Sequence, residues 1–131
     1  MDIDKQVVIL QSLATETEAQ VGSKVVCEPC PKEKGGTHKY LYRFVVPNPG
    51  RCHVFAFGGV KPKIGCPRIN IKERHLNDAD QAKLYLFNPP RNTMFGDKDK
   101  GRRIEICEIH SSAYQQALYA LIVACRTCLL S

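Results

Sequence analysis

The sequence predicts an α+β fold with an N-terminal helix, a mainly antiparallel sheet of about five strands and a C-terminal helix packed on one face of the sheet. Two observations predict it. Apolar residues recur at helical spacing near the two ends of the chain, and short β-branched and aromatic runs, separated by Gly and Pro, fill the middle. A length of 131 residues is typical of a single domain, 1–131, that buries its own core.

The first helix is predicted from apolar side chains at three- and four-residue spacing, which form one apolar face: Ile3, Val7, Leu10, Leu13 and Ala14. Gly22 follows the last turn of this pattern, and glycine is the usual residue at the C-terminal end of a helix. The helix is therefore expected to end near Val21.

Strands are predicted through the middle of the chain, at residues 24–27, 39–46, 51–57, 68–72 and 103–109. The turn Pro47-Asn48-Pro49-Gly50 should join the second and third strands into a hairpin. Residues 83–87 are predicted as a further strand; the alternative is a short helix capped from Asn77. A long polar loop is predicted at residues 88–103, and loops of that length are uncommon unless they are functional or mobile.

The C-terminal helix is the clearest element. Ser112 and Gln115 have the spacing of a capping box, in which each side chain accepts a hydrogen bond from the backbone N–H of the other residue. A broad apolar face follows at helical spacing: Ala117, Leu118, Leu121, Ile122 and Cys125. The helix is expected to begin at Ala113, after the Ser112 cap, and to run to Leu130.

Positive charge is concentrated in the middle of the chain. The whole chain has a net charge of +6, whereas residues 32–103 contain sixteen Lys or Arg and six Asp or Glu, a net of +10. A concentrated positive field attracts polyanions, so the expected partner is nucleic acid or an acidic protein surface. A charged surface that serves only solubility is the other interpretation.

A basic stripe is predicted on the strand at residues 68–72. Because side chains alternate between the faces of a strand, the basic and polar residues there should share one face while Ile69 and Ile71 face the core. At this spacing the side chains of the stripe could contact successive phosphates of a nucleic-acid backbone. With the preceding link and the polar loop, the predicted nucleic-acid-binding residues are Lys61, Lys63, Arg68, Asn70, Lys72, Arg74, Lys98, Lys100, Arg102 and Arg103.

Cys27 and Cys30 form a Cys-x-x-Cys pair, the spacing that supplies two ligands to a structural zinc site. The possible partners for the other two positions are His38, Cys52, His53 and Cys66, and the hairpin could bring either Cys52 or His53 close to the turn. His38 and Cys52 are the predicted ligands. The alternative is that these cysteines are small apolar side chains, because the two further ligands are single, scattered residues. Apart from this zinc, the sequence indicates no cofactor.

Seven cysteines occur in a chain that shows no secretory signal, which predicts a cytoplasmic protein with free thiols and without a disulfide framework. No run of about 18 apolar residues is present, so no membrane span is expected. Cys125 and Cys128 form a second Cys-x-x-Cys pair, but they lie at the C-terminal end of a helix. There the helix dipole disfavours a thiolate, so redox chemistry is not expected.

Catalytic patterns are incomplete in this sequence, so an enzyme is not favoured. His110-Ser111-Ser112 matches only one half of the two-histidine phosphoesterase pattern. The function predicted is a small basic nucleic-acid-binding module that acts mainly through phosphate contacts. One alternative is a protein-interaction module or a phage-type, mobile-element inhibitor that docks on a nucleic-acid-handling or defence complex. A small phosphate-ester hydrolase using His110 is the other.

Overall fold

The computed structural model describes residues 1–32, 34–48, 51–62, 65–85, 91–92 and 100–130. It contains three α-helices among these residues: α1 (Ile3–Val21), α2 (Asp78–Tyr85) and α3 (Ser112–Leu130). The strands are β1 (Val26–Pro31), β2 (Thr37–Asn48), β3 (Arg51–Gly59), β4 (Arg68–Lys72), β5 (Arg91–Asn92) and β6 (Lys100–Glu105). A 3₁₀ turn, Glu73–His75, follows β4.

The strands form one sheet in the order β1-β2-β3-β4-β6-β5, and every neighbouring pair is antiparallel. Helices α1 and α3 pack against each other, and they contact the sheet from one side. This arrangement confirms the predicted α+β fold with a mainly antiparallel sheet and a C-terminal helix on one face. The other face of the sheet carries the basic residues described below.

The register of the sheet separates the two faces. One row of cross-strand partners faces the helices and is buried: Cys27, Phe44, Ala56, Ile71 and Arg102. The next row points to the other side of the sheet, which we call the outer face: Glu28, Arg43, Phe57, Asn70 and Arg103. Partners in a row share a face because side chains alternate along each strand.

Helix α1 begins and ends at the residues that its sequence indicates. The Asp2 carboxylate accepts a hydrogen bond from the Lys5 backbone N–H at 2.8 Å, which caps the N-terminus. Gly22 adopts φ 75°, a left-handed conformation that glycine tolerates, and its N–H donates to the Glu18 carbonyl. Close packing on the sheet depends on Gly58, where an added Cβ would lie 3.0 Å from Leu10 Cδ1.

Helix α3 begins one residue earlier than predicted. Ser111, rather than Ser112, caps it, because the Ser111 hydroxyl accepts from the Tyr114 backbone N–H at 3.2 Å. Tyr114 is fully buried, and its hydroxyl contacts Ser12 Oγ at 2.7 Å and donates to the Glu16 carboxylate. A polar contact thus joins α1 and α3 within their largely apolar interface.

Residues 83–85 are helical, so the strand predicted at 83–87 is wrong there, and 86–87 lie outside the described residues. The Asn77 side chain accepts a hydrogen bond from the Asp80 N–H at 2.8 Å and caps α2. Leu84 is then buried in the core. The local cap and one buried side chain outweigh the β-propensity of the aromatic run.

The polar loop predicted at residues 88–103 contains strand residues at both β5 and the start of β6, which pair with each other. The remainder of that loop, residues 88–90 and 93–99, lies outside the described residues. At its other end, β6 stops at Glu105, four residues before the end predicted for this strand. No helix in the described part of the chain is long and apolar enough to cross a membrane.

A disulfide joins Cys66 and Cys107, with their Cα atoms 4.9 Å apart. Most of the cysteines were expected to be free thiols; five of the seven are free, and this one bond was not predicted. The β4–β6 ladder pairs Arg68 with Glu105, and each cysteine lies two residues beyond that pair. The antiparallel register therefore brings together two residues that are 41 positions apart in the sequence, which no local pattern reveals.

Candidate nucleic-acid interface

The outer face of β4 and β6 is the most basic part of the sheet. Arg68, Lys72 and Arg103 lie on this face and are partly exposed. The neighbouring Ile69 and Ile71 are fully buried among the core residues, as the alternation in the sequence predicted. Adjacent strands thus place positive side chains side by side on the outer face.

Arg68 and Arg103 are diagonal neighbours across β4 and β6. Arg103 is the cross-strand partner of Asn70, and Arg68 is the partner of Glu105. Partial burial lowers the pKa of the Arg68 guanidinium, and the charge of Arg103 lowers it further, while Glu105 acts in the opposite direction. The charges of Arg68 and Arg103 thus disfavour each other, and an anion bound beside both would reduce that repulsion.

Glu105 does not neutralise this pair. Its carboxylate lies 3.1 Å from the Lys61 ammonium group, in an ion pair that is half exposed on both sides. Among the described residues at this end of the outer face, the single carboxylate of Glu105 lies near three basic side chains: Lys61, Arg68 and Arg103. The charge of these described residues is therefore positive.

The Arg68 side chain packs over Gly59, which has no side chain of its own. The two residues are cross-strand partners on β3 and β4. A Cβ added to Gly59 would lie 3.3 Å from Arg68 Nε and 3.6 Å from its Cγ, so the stem of the arginine lies across the glycine. The strand predicted at residues 51–57 does not reach Gly59, and the close contact appears only once β3 and β4 are paired.

Asn70 lies between the two arginine positions and is 2% exposed, whereas the sequence predicted it on an open stripe. Its side-chain oxygen Oδ1 is buried and has no hydrogen-bond partner among the described residues. A buried carbonyl oxygen without a donor is costly, and such groups are uncommon in folded proteins. A ligand N–H or O–H group, or an ordered water beneath a ligand, would satisfy it.

Arg43 contributes less to the positive field than its place on the outer face indicates. Its guanidinium contacts the Glu28 carboxylate at 2.7 Å and 2.8 Å through two nitrogens. The two residues are cross-strand partners on β1 and β2. This pairing compensates the charge of Arg43, so Arg43 adds little to the positive charge of the outer face.

Arg102 does not lie on the outer face, so its prediction as a nucleic-acid contact is wrong. Its side chain is 2% exposed on the helix-facing side of β6, next to Ile71 in the register. Its guanidinium contacts the Glu73 carboxylate at 3.1 Å. The prediction placed this arginine in a polar loop, whereas β6 already includes it. Strand parity then turns it towards the core, away from any phosphate on the outer face.

The other predicted nucleic-acid contacts are dispersed. Arg74 lies on the 3₁₀ turn and lines a polar opening of about 430 Å³ with His53 and His75. Two more of the predicted contacts, Lys63 and Lys98, lie outside the described residues, and the side chain of Lys100 is also outside them.

The four predicted zinc ligands are not brought together. Cys27 belongs to the core, where burial raises the pKa of its thiol to about 12. Cys30 and His38 line a small opening on the outer face together with Arg43. Cys52 is exposed and pairs with Pro47, three residues along β2 from the partner of Cys27. Among the described residues, no three His, Cys, Asp or Glu side chains are grouped to hold a metal ion.

His110, the candidate catalytic residue of the hydrolase alternative, lies in the turn before α3 with φ 66°. Its ring packs edge-on against Tyr114, with the ring centroids 5.6 Å apart. The turn geometry and this aromatic contact account for its position. Comparison of the chain with protein-family models, with curated proteins and with solved structures finds no match.

Proposed function

We propose that this protein binds nucleic acid through the outer face of its sheet, mainly by phosphate contacts to Arg68 and Arg103. The observation that carries the proposal is the placement of Arg68 and Arg103 as diagonal neighbours on the outer face of β4 and β6, where the nearby Glu105 is shared with Lys61. Arginine suits this role because its planar group donates several hydrogen bonds to phosphate oxygens.

The unpaired Oδ1 of Asn70 favours a ligand that carries a hydrogen-bond donor as well as negative charge. A fully deprotonated inorganic anion such as sulfate has no donor for this acceptor, whereas nucleotides carry phosphate together with hydroxyl and amino donors. Asn70 lies opposite Arg103 in the register, so both kinds of contact fall within one small area of the outer face. Lys72, two residues further along β4, extends the basic surface in the direction of the strand.

Fluorescence anisotropy with a labelled 20-nucleotide single strand and a 20-base-pair duplex tests the proposal. The salt series runs from 50 to 200 mM. If phosphate contacts dominate, the logarithm of the affinity falls linearly with the logarithm of salt concentration, by about 0.7 to 0.9 per phosphate neutralised. Arg68→Glu/Arg103→Glu should weaken binding by at least about tenfold and reduce that slope by roughly 1.5 to 2.

The matched control is Lys24→Glu/Arg126→Glu, which changes the net charge by the same amount. Both residues are exposed, and they lie before β1 and on α3, away from the outer face. The control should retain affinity within about twofold. Equal losses in both double variants would mean that net charge alone attracts the nucleic acid. Failure of the unmodified protein to bind either probe at 50 mM salt would refute the proposal.

A further inference from the structure

An apolar groove lies on the helix side of the protein, between the N-terminal half of α1 and the segment that follows β6. It has a volume of about 610 Å³. Apolar side chains line it: Met1, Val8, Ile9 and Ile109. The Cys107 side of the Cys66–Cys107 disulfide forms another part of the wall.

Exposed apolar side chains are concentrated in this groove. Six large hydrophobic residues are exposed in the described part of the chain, and three of them, Met1, Val8 and Ile109, line this one groove. Val8 is 57% exposed on a helix whose opposite face is fully buried. Grouped apolar exposure of this kind marks an interaction surface, whereas single exposed apolar residues need no explanation.

The rim of the groove is acidic. Asp2, Asp4 and Glu108 line it, and Lys5 is the basic residue among the lining side chains. This local excess of negative charge contrasts with the chain as a whole, which has a net charge of +6. An occupant therefore needs an apolar surface bordered by positive groups.

The charges argue against two other occupants. Nucleic acid phosphates would be repelled by the acidic rim. In a two-fold contact between two copies of this chain the same patch meets itself, which would place Asp2, Asp4 and Glu108 against their own copies. A partner with Lys or Arg beside its apolar side chains would instead be attracted by the acidic rim.

One wall of the groove is held in place covalently. The Cys66–Cys107 bond ties the segment after β6 to the segment before β4, and the Ile106 N–H donates to the Pro67 carbonyl at 2.9 Å beside it. Capping by Asp2 fixes the first turn of α1 on the other side. A preformed groove loses less conformational entropy when it binds.

We propose that this groove docks a basic amphipathic helix of a partner protein, with its apolar side chains in the groove and its Lys or Arg side chains on the acidic rim. Helices bind apolar grooves in this way through residues spaced three and four apart. The site is independent of the outer face, because α1 lies on the opposite side of the sheet from Arg68 and Arg103.

The probe is a synthetic 18-residue peptide of leucine and lysine at amphipathic helical spacing, together with a version in which glutamate replaces every lysine. Isothermal titration calorimetry measures affinity, and amide shifts in two-dimensional NMR locate the peptide. We expect the lysine peptide to bind and to shift amides of residues 1–9 and 107–109. The glutamate peptide should bind at least about tenfold more weakly because of like charge on the rim.

Val8→Lys places a positive charge inside the groove and should weaken binding of the lysine peptide at least about tenfold. Leu130→Lys is the matched control, since Leu130 is 89% exposed at the end of α3 and outside the groove. It should leave the affinity unchanged. Arg68→Glu/Arg103→Glu should also bind the peptide normally, which separates this proposal from the nucleic-acid proposal.

Several results would overturn the proposal: equal binding of both peptides, equal loss in Val8→Lys and Leu130→Lys, or amide shifts confined to other regions. Sedimentation of the protein alone gives a further test. Concentration-dependent dimers that Val8→Lys abolishes would show that a second copy of the chain covers the groove instead.

Discussion

Removing the Cys66–Cys107 disulfide should destabilise this protein substantially. The double variant Cys66→Ala/Cys107→Ala eliminates the bond without leaving a new thiol. The bond closes a loop with a sequence separation of 41 residues. In the chain-entropy description, a cross-link over a loop of that length lowers the entropy of the unfolded chain enough to stabilise the fold by about 4 kcal/mol.

Urea unfolding followed by circular dichroism measures this change. With a slope of about 1.5 kcal/mol per M, the loss corresponds to a fall of roughly 2 to 3 M in the unfolding midpoint. Small domains have total stabilities of about 5 to 15 kcal/mol, so the variant should remain folded in buffer with a narrow margin. Adding a reducing agent to the unmodified protein should lower the midpoint by a similar amount.

Cys52→Ala is the control, because Cys52 is an exposed free cysteine. It should leave the unfolding midpoint unchanged, and the reducing agent should have no effect on the Cys66→Ala/Cys107→Ala variant. A midpoint that is the same with and without reducing agent in the unmodified protein would refute the reasoning. It would mean that the two cysteines are not bonded or that the bond does not restrict the unfolded chain.

Three further outcomes are expected. Iodoacetamide should label Cys52 much faster than the other four free cysteines, which are buried and whose pKa values burial raises, and peptide mass spectrometry reads this out. Arg102→Met should cost about 3 kcal/mol in urea unfolding because it leaves a carboxylate without its partner, whereas Arg43→Met in an exposed pair should cost less than about 1 kcal/mol. Burial and the hydrogen bond to Glu16 raise the pKa of Tyr114 to about 12. The unfolded tyrosine ionises near pH 10, so the stability that Tyr114 contributes is full below about pH 10 and is lost as the pH rises towards 12. Tyr114→Phe should therefore show a smaller loss of stability between pH 9 and pH 11, measured by urea unfolding.

The parts of the fold that local signals determine were predictable. The first helix ends at Val21, before Gly22, as predicted, and the strand at 68–72 has its predicted bounds. Alternation along β4 also predicted that Ile69 and Ile71 are buried. These features depend on residues a few positions apart, which the sequence displays directly.

The features that depend on pairing between distant segments were not predictable. Arg102 was assigned to a loop because β6 begins earlier than its apolar pattern, and its inward orientation follows from the register with β4. The Cys66–Cys107 bond and the contact of Gly59 with Arg68 follow from registers of the same kind. Burial of Asn70 depends on what covers a central strand, which strand parity does not reveal.

Strand β1 has a consequence for association of the whole molecule. It is the outermost strand on its side of the sheet, and Pro29 and Pro31 lie within it with a register shift between them. Proline has no N–H to donate, and an irregular edge is a poor template for another strand. Edge-to-edge pairing with the sheet of another molecule through β1 is therefore disfavoured, which reduces the tendency to aggregate through this edge.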